Sequence, residues 1–362
     1  MDVKVAGLPS FKFWSGKRVA VTGHTGFKGS WLCEMLLSLG AEVNGFALPP
    51  RTEQNIFEML DLNSRVDHEI GDVRDLNVLK KWITRTEPDV ILHLAAQPIV
   101  SESYLLPVET FATNVMGTLN LLEACRHHNF SGPVVIVTSD KCYQNNDGQR
   151  GFRVGDPLGG KDPYSASKAA AEIVTASYQT SFVKEVACFS KIATARAGNV
   201  IGGGDFTKDR LIPDAIKAWS SGKELIVRNP TFTRPWQHVV EPVAGYLLLA
   251  ERLSGSQKFS RPWNFGPDQR SDTSVRSCIN SLAQLWPGSA LVVENEPGGQ
   301  DWTEAKTLSL NIDETTEQLG WRPRFGMHET LSLTVEWYTE ALKGPGIPAM
   351  IQLTQDQIGQ YW

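Results

Sequence analysis

A short β-branched run, Lys17-Arg18-Val19-Ala20-Val21-Thr22, leads directly into Gly23-His24-Thr25-Gly26-Phe27-Lys28-Gly29. An apolar-periodic stretch, Ser30 to Leu39, follows and can end at Gly40. Few folds use glycines spaced G-x-x-G-x-x-G between a strand and a helix. Glycine lets the chain turn tightly and lets backbone N–H groups approach a pyrophosphate, which then sits at the positive end of the helix. Any tight strand-to-helix turn can use glycine, so the surroundings decide. Here they are a repeated alternation of short strands and longer helices. Further strands read at 41–47, 89–94, 133–137 and about 186–195, and helices at 75–86, 107–128, 163–182 and 210–221. The last three strands are nearly continuous apolar runs, as parallel strands covered on both faces require. The expected fold is α/β, a doubly wound parallel sheet of Rossmann type.

Beyond Gly202-Gly203-Gly204 the pattern loosens into a strand (225–228), a helix (242–253), a strand (263–265), a helix (about 273–286) and a strand (290–294). This reads as a smaller α/β portion over the sheet's carboxyl edge. Residues 1–200 are expected to bind a dinucleotide, and residues 201–362 mainly a substrate, with some segments crossing between the two.

A net charge of -5 lacks the footprint of a nucleic-acid binder. No apolar run approaches the roughly 20 residues that span a bilayer, and Met1 to Trp14 has no continuous apolar core of a secretory signal. The five cysteines, Cys33, Cys125, Cys142, Cys188 and Cys278, are scattered and never spaced C-x-x-C. Neither a disulfide framework nor a metal site is expected, and the thiols fit a cytoplasmic protein. Eleven tryptophans either line a pocket or pack.

The acid that would hold the adenosine ribose of NAD, about 20 positions past the glycines, is missing. That region reads Phe46-Ala47-Leu48-Pro49-Pro50-Arg51. Arg51 either pairs with the 2′-phosphate of NADP or is a solvated loop cation. Lys28 is placed to neutralise the pyrophosphate. Asp72-Val73 either brackets an adenine ring or forms a turn in Gly71-Asp72-Val73-Arg74-Asp75. Tyr164 and Lys168 open the helix after Pro163, four apart and so on one face. A phenol is a poor base at neutral pH. A nearby ammonium stabilises the phenolate, so this pair assembles a base for a sugar hydroxyl.

With these residues in view the chain resembles the extended short-chain dehydrogenase/reductase superfamily. The motifs stand in order over nearly the whole length: Thr22-Gly23-x-x-Gly26-x-x-Gly29, Asp72, His93-Leu94-Ala95-Ala96-Gln97, Asn114-Val115-x-Gly117-Thr118, Tyr164/Lys168 and Arg196-Ala197-Gly198-Asn199-Val200. The resemblance implies NAD held by Gly23, Thr25, Gly26, Phe27, Lys28, Gly29, Asp72, Val73, Leu94, Ala95, Ala96, Thr138, Tyr164 and Lys168. It implies a structural role for Asn114, and a homodimer built on the helices near 107–128 and 163–182.

The end of the fifth strand, Val137-Thr138-Ser139-Asp140-Lys141, selects the reaction. It is either a charged turn or a built-in acid/base pair for eliminating water. Within the superfamily it resembles the sugar-nucleotide 4,6-dehydratases, and Ser139-Asp140-Lys141 together with Thr22 to Leu32 points to CDP-glucose as substrate. The resemblance implies that Tyr164 takes the 4-hydroxyl proton as hydride leaves C4 for NAD. Asp140 then protonates the leaving 6-hydroxyl, Lys141 removes the C5 hydrogen, and Ser139 holds the 4-hydroxyl. An ammonium accepts no proton, so Lys141 must lose one first, which burial or a nearby cation favours. Asn199, Arg210 and Arg234 match substrate positions, since arginine binds phosphate bidentately; either arginine is otherwise a surface salt bridge. Leu225-Ile226-Val227 is expected to border the base and Glu304 the site's edge, while His93 and His238 read as packed. The implied context is a 4-keto-6-deoxy sugar nucleotide feeding 3,6-dideoxyhexoses of bacterial surface polysaccharide such as lipopolysaccharide O-antigen. Three other readings stay open: a 4,6-dehydratase for another nucleotide sugar, a nucleotide-sugar 4-epimerase, which has no use for Asp140 and Lys141, and a nucleotide-sensing regulator without turnover.

Overall fold

The strand that carries the glycine loop, β1 (Arg18–Thr22), lies between β2 (Glu42–Ala47) on one side and β4 (Val90–His93) on the other, with β3 (Asp67–Ile70) beyond β2. Past β4 come β5 (Val134–Val137) and β6 (Ile192–Ala197). A later strand pair, β7 (Leu225–Val227) with β9 (Val292–Glu294), stands apart, whereas β8 (Trp263–Phe265) closes the edge next to β6. The sheet order is therefore β8-β6-β5-β4-β1-β2-β3, every pair parallel. In such a sheet the connections leave β1 in opposite directions, and a crevice opens at its carboxyl edge where the order reverses. This computed structural model describes residues 7–145, 148, 150–268, 273–294 and 305–362.

Three expectations are refined. The strand expected at 186–195 starts at Ile192, because Ala187–Ser190 coils into a 3-10 turn that buries Cys188 and Phe189. The helix expected at 107–128 is Pro107–Phe111 and Gly117–His127 joined by a π turn at Ala112–Met116. The strand 263–265 belongs to the central sheet rather than to a separate C-terminal layer, with Trp263 opposite Ala195 in register. A parallel crossover through an intervening helix returns the chain to that edge.

The helices that frame the crevice are α1 (Phe27–Ser38), α2 (Leu76–Thr86), α3 (Val100–Leu105), α4 (Pro107–Phe111), α5 (Gly117–His127), α6 (Pro163–Ser181), α7 (Leu211–Ser220) and α8 (Val240–Gly255). Alternate strand residues face opposite cores. Val19, Val21, Leu92 and Val135 pack with α1 and α8, while Ala20, Ile91, Val134 and Ile136 pack with α2 and α5. Six tryptophans, Trp14, Trp31, Trp82, Trp263, Trp321 and Trp337, are fully buried, so most of the indole surface serves packing. Asp162 caps α6 by accepting from Ser165 N at 2.9 Å, with Pro163 at the first helical position. Helix α1 begins at Gly26 with no side-chain cap. Its first amides are therefore not answered by a neighbouring side chain, as an anion-binding helix end requires.

Candidate active site

The glycine loop makes the floor. Gly23 has φ +76°, and a Cβ there would stand 2.6 Å from the backbone N of Ala95. A Cβ on Gly29 would stand 2.1 Å from Gly23 O. Both positions exclude a side chain, since the turns after β1 and β4 touch where the sheet order reverses. Asn114 fixes the second turn: its Oδ1 accepts from Gln97 N at 2.8 Å, and its Nδ2 donates to Gln97 O at 3.1 Å and to Ser167 Oγ at 2.8 Å.

Every candidate catalytic, cofactor and substrate residue named above lines one cleft of ≈ 880 Å³, except Glu304, which lies outside the described residues. Leu225 and Ile226 line it too, while Val227 is buried behind. His93 and His238 do not line it. His93 Nδ1 meets Thr22 Oγ1 at 2.7 Å, and burial pulls both imidazoles down to about 3.

At the carboxyl end of β5 the strand hands over to Ser139-Asp140-Lys141. Asp140 is 2% exposed, and its Oδ1 accepts from Ser139 Oγ at 3.0 Å. Lys141 Nζ stands 3.9 Å from the same oxygen. Among the described residues Asp140 Oδ2 is buried with no partner, and so is Asn199 Oδ1. Burying an acceptor without a partner costs about 1–3 kcal/mol. Two such atoms in one cleft mark it as shaped for a polar ligand.

Tyr164 comes from the first turn of α6, across the cleft from β5, and its phenol faces Ser139. Burial pushes its phenol up to about 12; Ser139 and the Arg210 charge oppose this, and the Asp140 carboxylate adds to it. Ser139 and Arg210 thus bear on the phenol from two other elements. Lys168 Nζ donates to Val137 O at 3.2 Å, and burial pulls the amine down to about 8 against the pull of Glu172. Glu172 lies one turn further on and is central to a buried network. It accepts from Thr138 Oγ1 at 2.5 Å, Thr194 Oγ1 at 2.7 Å and Arg196 at 2.8 Å. Arg196 also donates to Tyr143 Oη at 2.9 Å, which locks the residues on either side of the Ser139–Lys141 turn to the sheet.

Three further cations enter from other elements. Lys28 Nζ stands 3.4 Å from Tyr246 Oη, and burial, then the Lys168 and Arg210 charges, pull it down to about 7. Arg210, just before α7, is held by Asp205 at 2.7 Å. Arg234 is 3% exposed and donates to Thr233 O at 2.8 Å. Sequence reasoning missed Asp205 and Tyr246, which bear on Arg210 and Lys28, and Glu102, which pairs with Arg51. Asp205 follows a glycine run and Tyr246 an apolar helix face, so neither had a motif to mark it; only the acid's place five residues before Arg210 hinted at the pair.

The arrangement provides a phosphate-ready helix end, a phenol against a serine, and a buried carboxyl beside an amine. A family model described as GDP-mannose 4,6 dehydratase matches residues 20–334. A CDP-glucose 4,6-dehydratase of Salmonella typhimurium is 44% identical over 339 residues, 92% of this chain and 93% of the relative. Among solved structures, a dTDP-glucose 4,6-dehydratase from Streptomyces venezuelae with NAD and TYD bound superposes with TM-score 0.76 at 24% identity, covering 91% of this chain and 99% of that one. A UDP-glucose-4-epimerase from Stenotrophomonas maltophila with bound NAD gives TM-score 0.79 at 20% identity, over 91% of this chain and 99% of that one.

Proposed function

Because the chain belongs to the GDP-mannose 4,6-dehydratase family, we propose that it is a hydro-lyase converting CDP-D-glucose to CDP-4-dehydro-6-deoxy-D-glucose and water on bound NAD. The observation that carries this reading is Ser139-Asp140-Lys141 at the end of β5, in one cleft with Tyr164 and Lys168. A 4-epimerase needs the tyrosine but has no use for a buried carboxyl with a partnerless oxygen beside it.

The cleft fits NAD at the glycine floor and at the uncapped start of α1. When bound, NAD supplies a two-electron acceptor that takes the C4 hydride and returns it to C6. Gly23, Thr25, Gly26, Phe27, Lys28 and Gly29 would hold its phosphates, Asp72 and Val73 would serve its adenosine half, and Leu94, Ala95, Ala96, Thr138 and Lys168 its nicotinamide half. Tyr164 receives the 4-hydroxyl proton while Ser139 orients that hydroxyl. The resulting ketone acidifies C5–H, Lys141 takes that proton as a neutral amine, Asp140 gives its proton to the departing 6-hydroxyl, which leaves as water, and the Lys141 ammonium returns a proton to C5 as C6 is reduced. Arg210 and Arg234 pair with the diphosphate and Asn199 lines the same end. Residues 1–200 serve the cofactor and 201–362 mainly the substrate. Substrate carrying deuterium at C4 should yield product with that deuterium on C6; product without it sinks the hydride-return reaction.

The same reading extends to assembly and setting. Leu105, Val108, Phe111, Met116 and Ile173 are exposed apolar residues on α3, α4, the π turn and α6, and we assign them to a homodimer interface. Sedimentation should give a dimer that Val108→Glu with Ile173→Glu converts to monomer; a monomeric wild type overturns the assignment. Among the described residues no helix is long and apolar enough to cross a membrane, and all five cysteines are free and buried. Both support a cytoplasmic enzyme whose product feeds dideoxyhexoses of bacterial surface polysaccharide.

A further inference from the structure

The loop after β2 lacks the acid that a dinucleotide fold uses to select NAD, and carries Arg51 instead. A free arginine at that place suits a 2′-phosphate. This arginine is not free. Its Nη2 stands 2.6 Å from both carboxylate oxygens of Glu102, which comes from α3, after β4. Both residues line the cleft. Since β2 and β4 flank β1, the pair links the loops on either side of the glycine turn. Thr25 Oγ1 donates to Leu48 O at 2.8 Å and ties the glycine turn to the same loop. The next cation nearby, Arg74, is equally engaged, with Asp72 at 2.5 Å and Glu109 at 3.8 Å.

We propose that Glu102 sets the preference for NAD over NADP, standing in from α3 for the acid absent after β2. It acts twice. It occupies the one guanidinium that faces this end of the cleft among the described residues, and it adds a negative charge that a 2′-phosphate must approach. A ribose hydroxyl meets no such repulsion, and a carboxylate accepts hydrogen bonds from it. The inference rests on the dinucleotide reading of the cleft and deepens it.

The test is equilibrium binding of NAD and NADP to the full-length protein, followed by tryptophan fluorescence and calorimetry, with no turnover required. The wild type should favour NAD. Glu102→Ala and Glu102→Gln should strengthen NADP binding about tenfold relative to NAD, because Arg51 is released to a phosphate. Arg51→Ala added to Glu102→Ala should remove most of that gain, leaving the smaller part that comes from the lost negative charge. An NADP:NAD ratio unchanged in both Glu102 variants overturns the proposal, and so does a gain undiminished by loss of Arg51. Failure of the wild type to bind either nucleotide overturns the dinucleotide reading itself, and is thereby distinguishable.

Discussion

Asp140→Asn lowers turnover by about 10²–10⁴-fold, the range general acid catalysis supplies, while CDP-glucose binding stays near that of the wild type. The change keeps the shape and the Oδ1 acceptor that Ser139 Oγ reaches at 3.0 Å. In the proposed mechanism it removes the carboxyl proton given to the leaving group, and it puts an amide at the Oδ2 position, which has no partner among the described residues. The departing 6-hydroxyl then leaves unassisted, although oxidation at C4 still proceeds. The measurements are steady-state kinetics, substrate affinity by calorimetry, and mass analysis of the quenched sugar. Unreacted and 4-keto hexose that has kept its 6-hydroxyl should build up over product. Equal losses in affinity and turnover would instead mean that Asp140 shapes the site and is not the acid.

Tyr164→Phe acts one step earlier. Removing the hydroxyl takes away the proton acceptor for C4 oxidation, and single-turnover formation of reduced cofactor should fall by about 10²–10⁴-fold. The pH dependence carries a sign. Burial holds the phenol up to about 12, and only the phenolate accepts a proton. The oxidation rate in the wild type should therefore climb as pH rises from neutrality, and this limb should vanish in the phenylalanine variant. A variant that keeps the rising limb assigns the base elsewhere. Because Ser139 and Arg210 hold the phenol below where burial alone would put it, Ser139→Ala should move the limb to higher pH without abolishing it.

Much of the site was legible because its parts are local. The glycine turn, the Tyr164/Lys168 spacing and the Ser139-Asp140-Lys141 run are each set by a few consecutive residues, and each reports a backbone geometry or a shared helix face. The doubly wound sheet was legible too, since buried parallel strands leave apolar runs and helices leave a longer period. What was not legible was of another kind. Trp263–Phe265 reads as part of the smaller C-terminal portion, and only its pairing with β6 places it in the central sheet. Spacing along the helix shows Lys168 beside Tyr164, but not the influence on the phenol of Ser139 and Arg210 from two other elements.

The sequence by itself determined the fold class, the floor of the cleft and which residues stand together at the end of β5, because those follow from hydrophobic period and from residues adjacent in the chain. Only the tertiary structure decided who partners the cations: Arg51 with Glu102, Arg210 with Asp205, Lys28 with Tyr246. The reason is physical. A charge is set by whatever the fold brings within a few ångströms of it, and partners 51 or 218 residues away leave no trace in a local pattern.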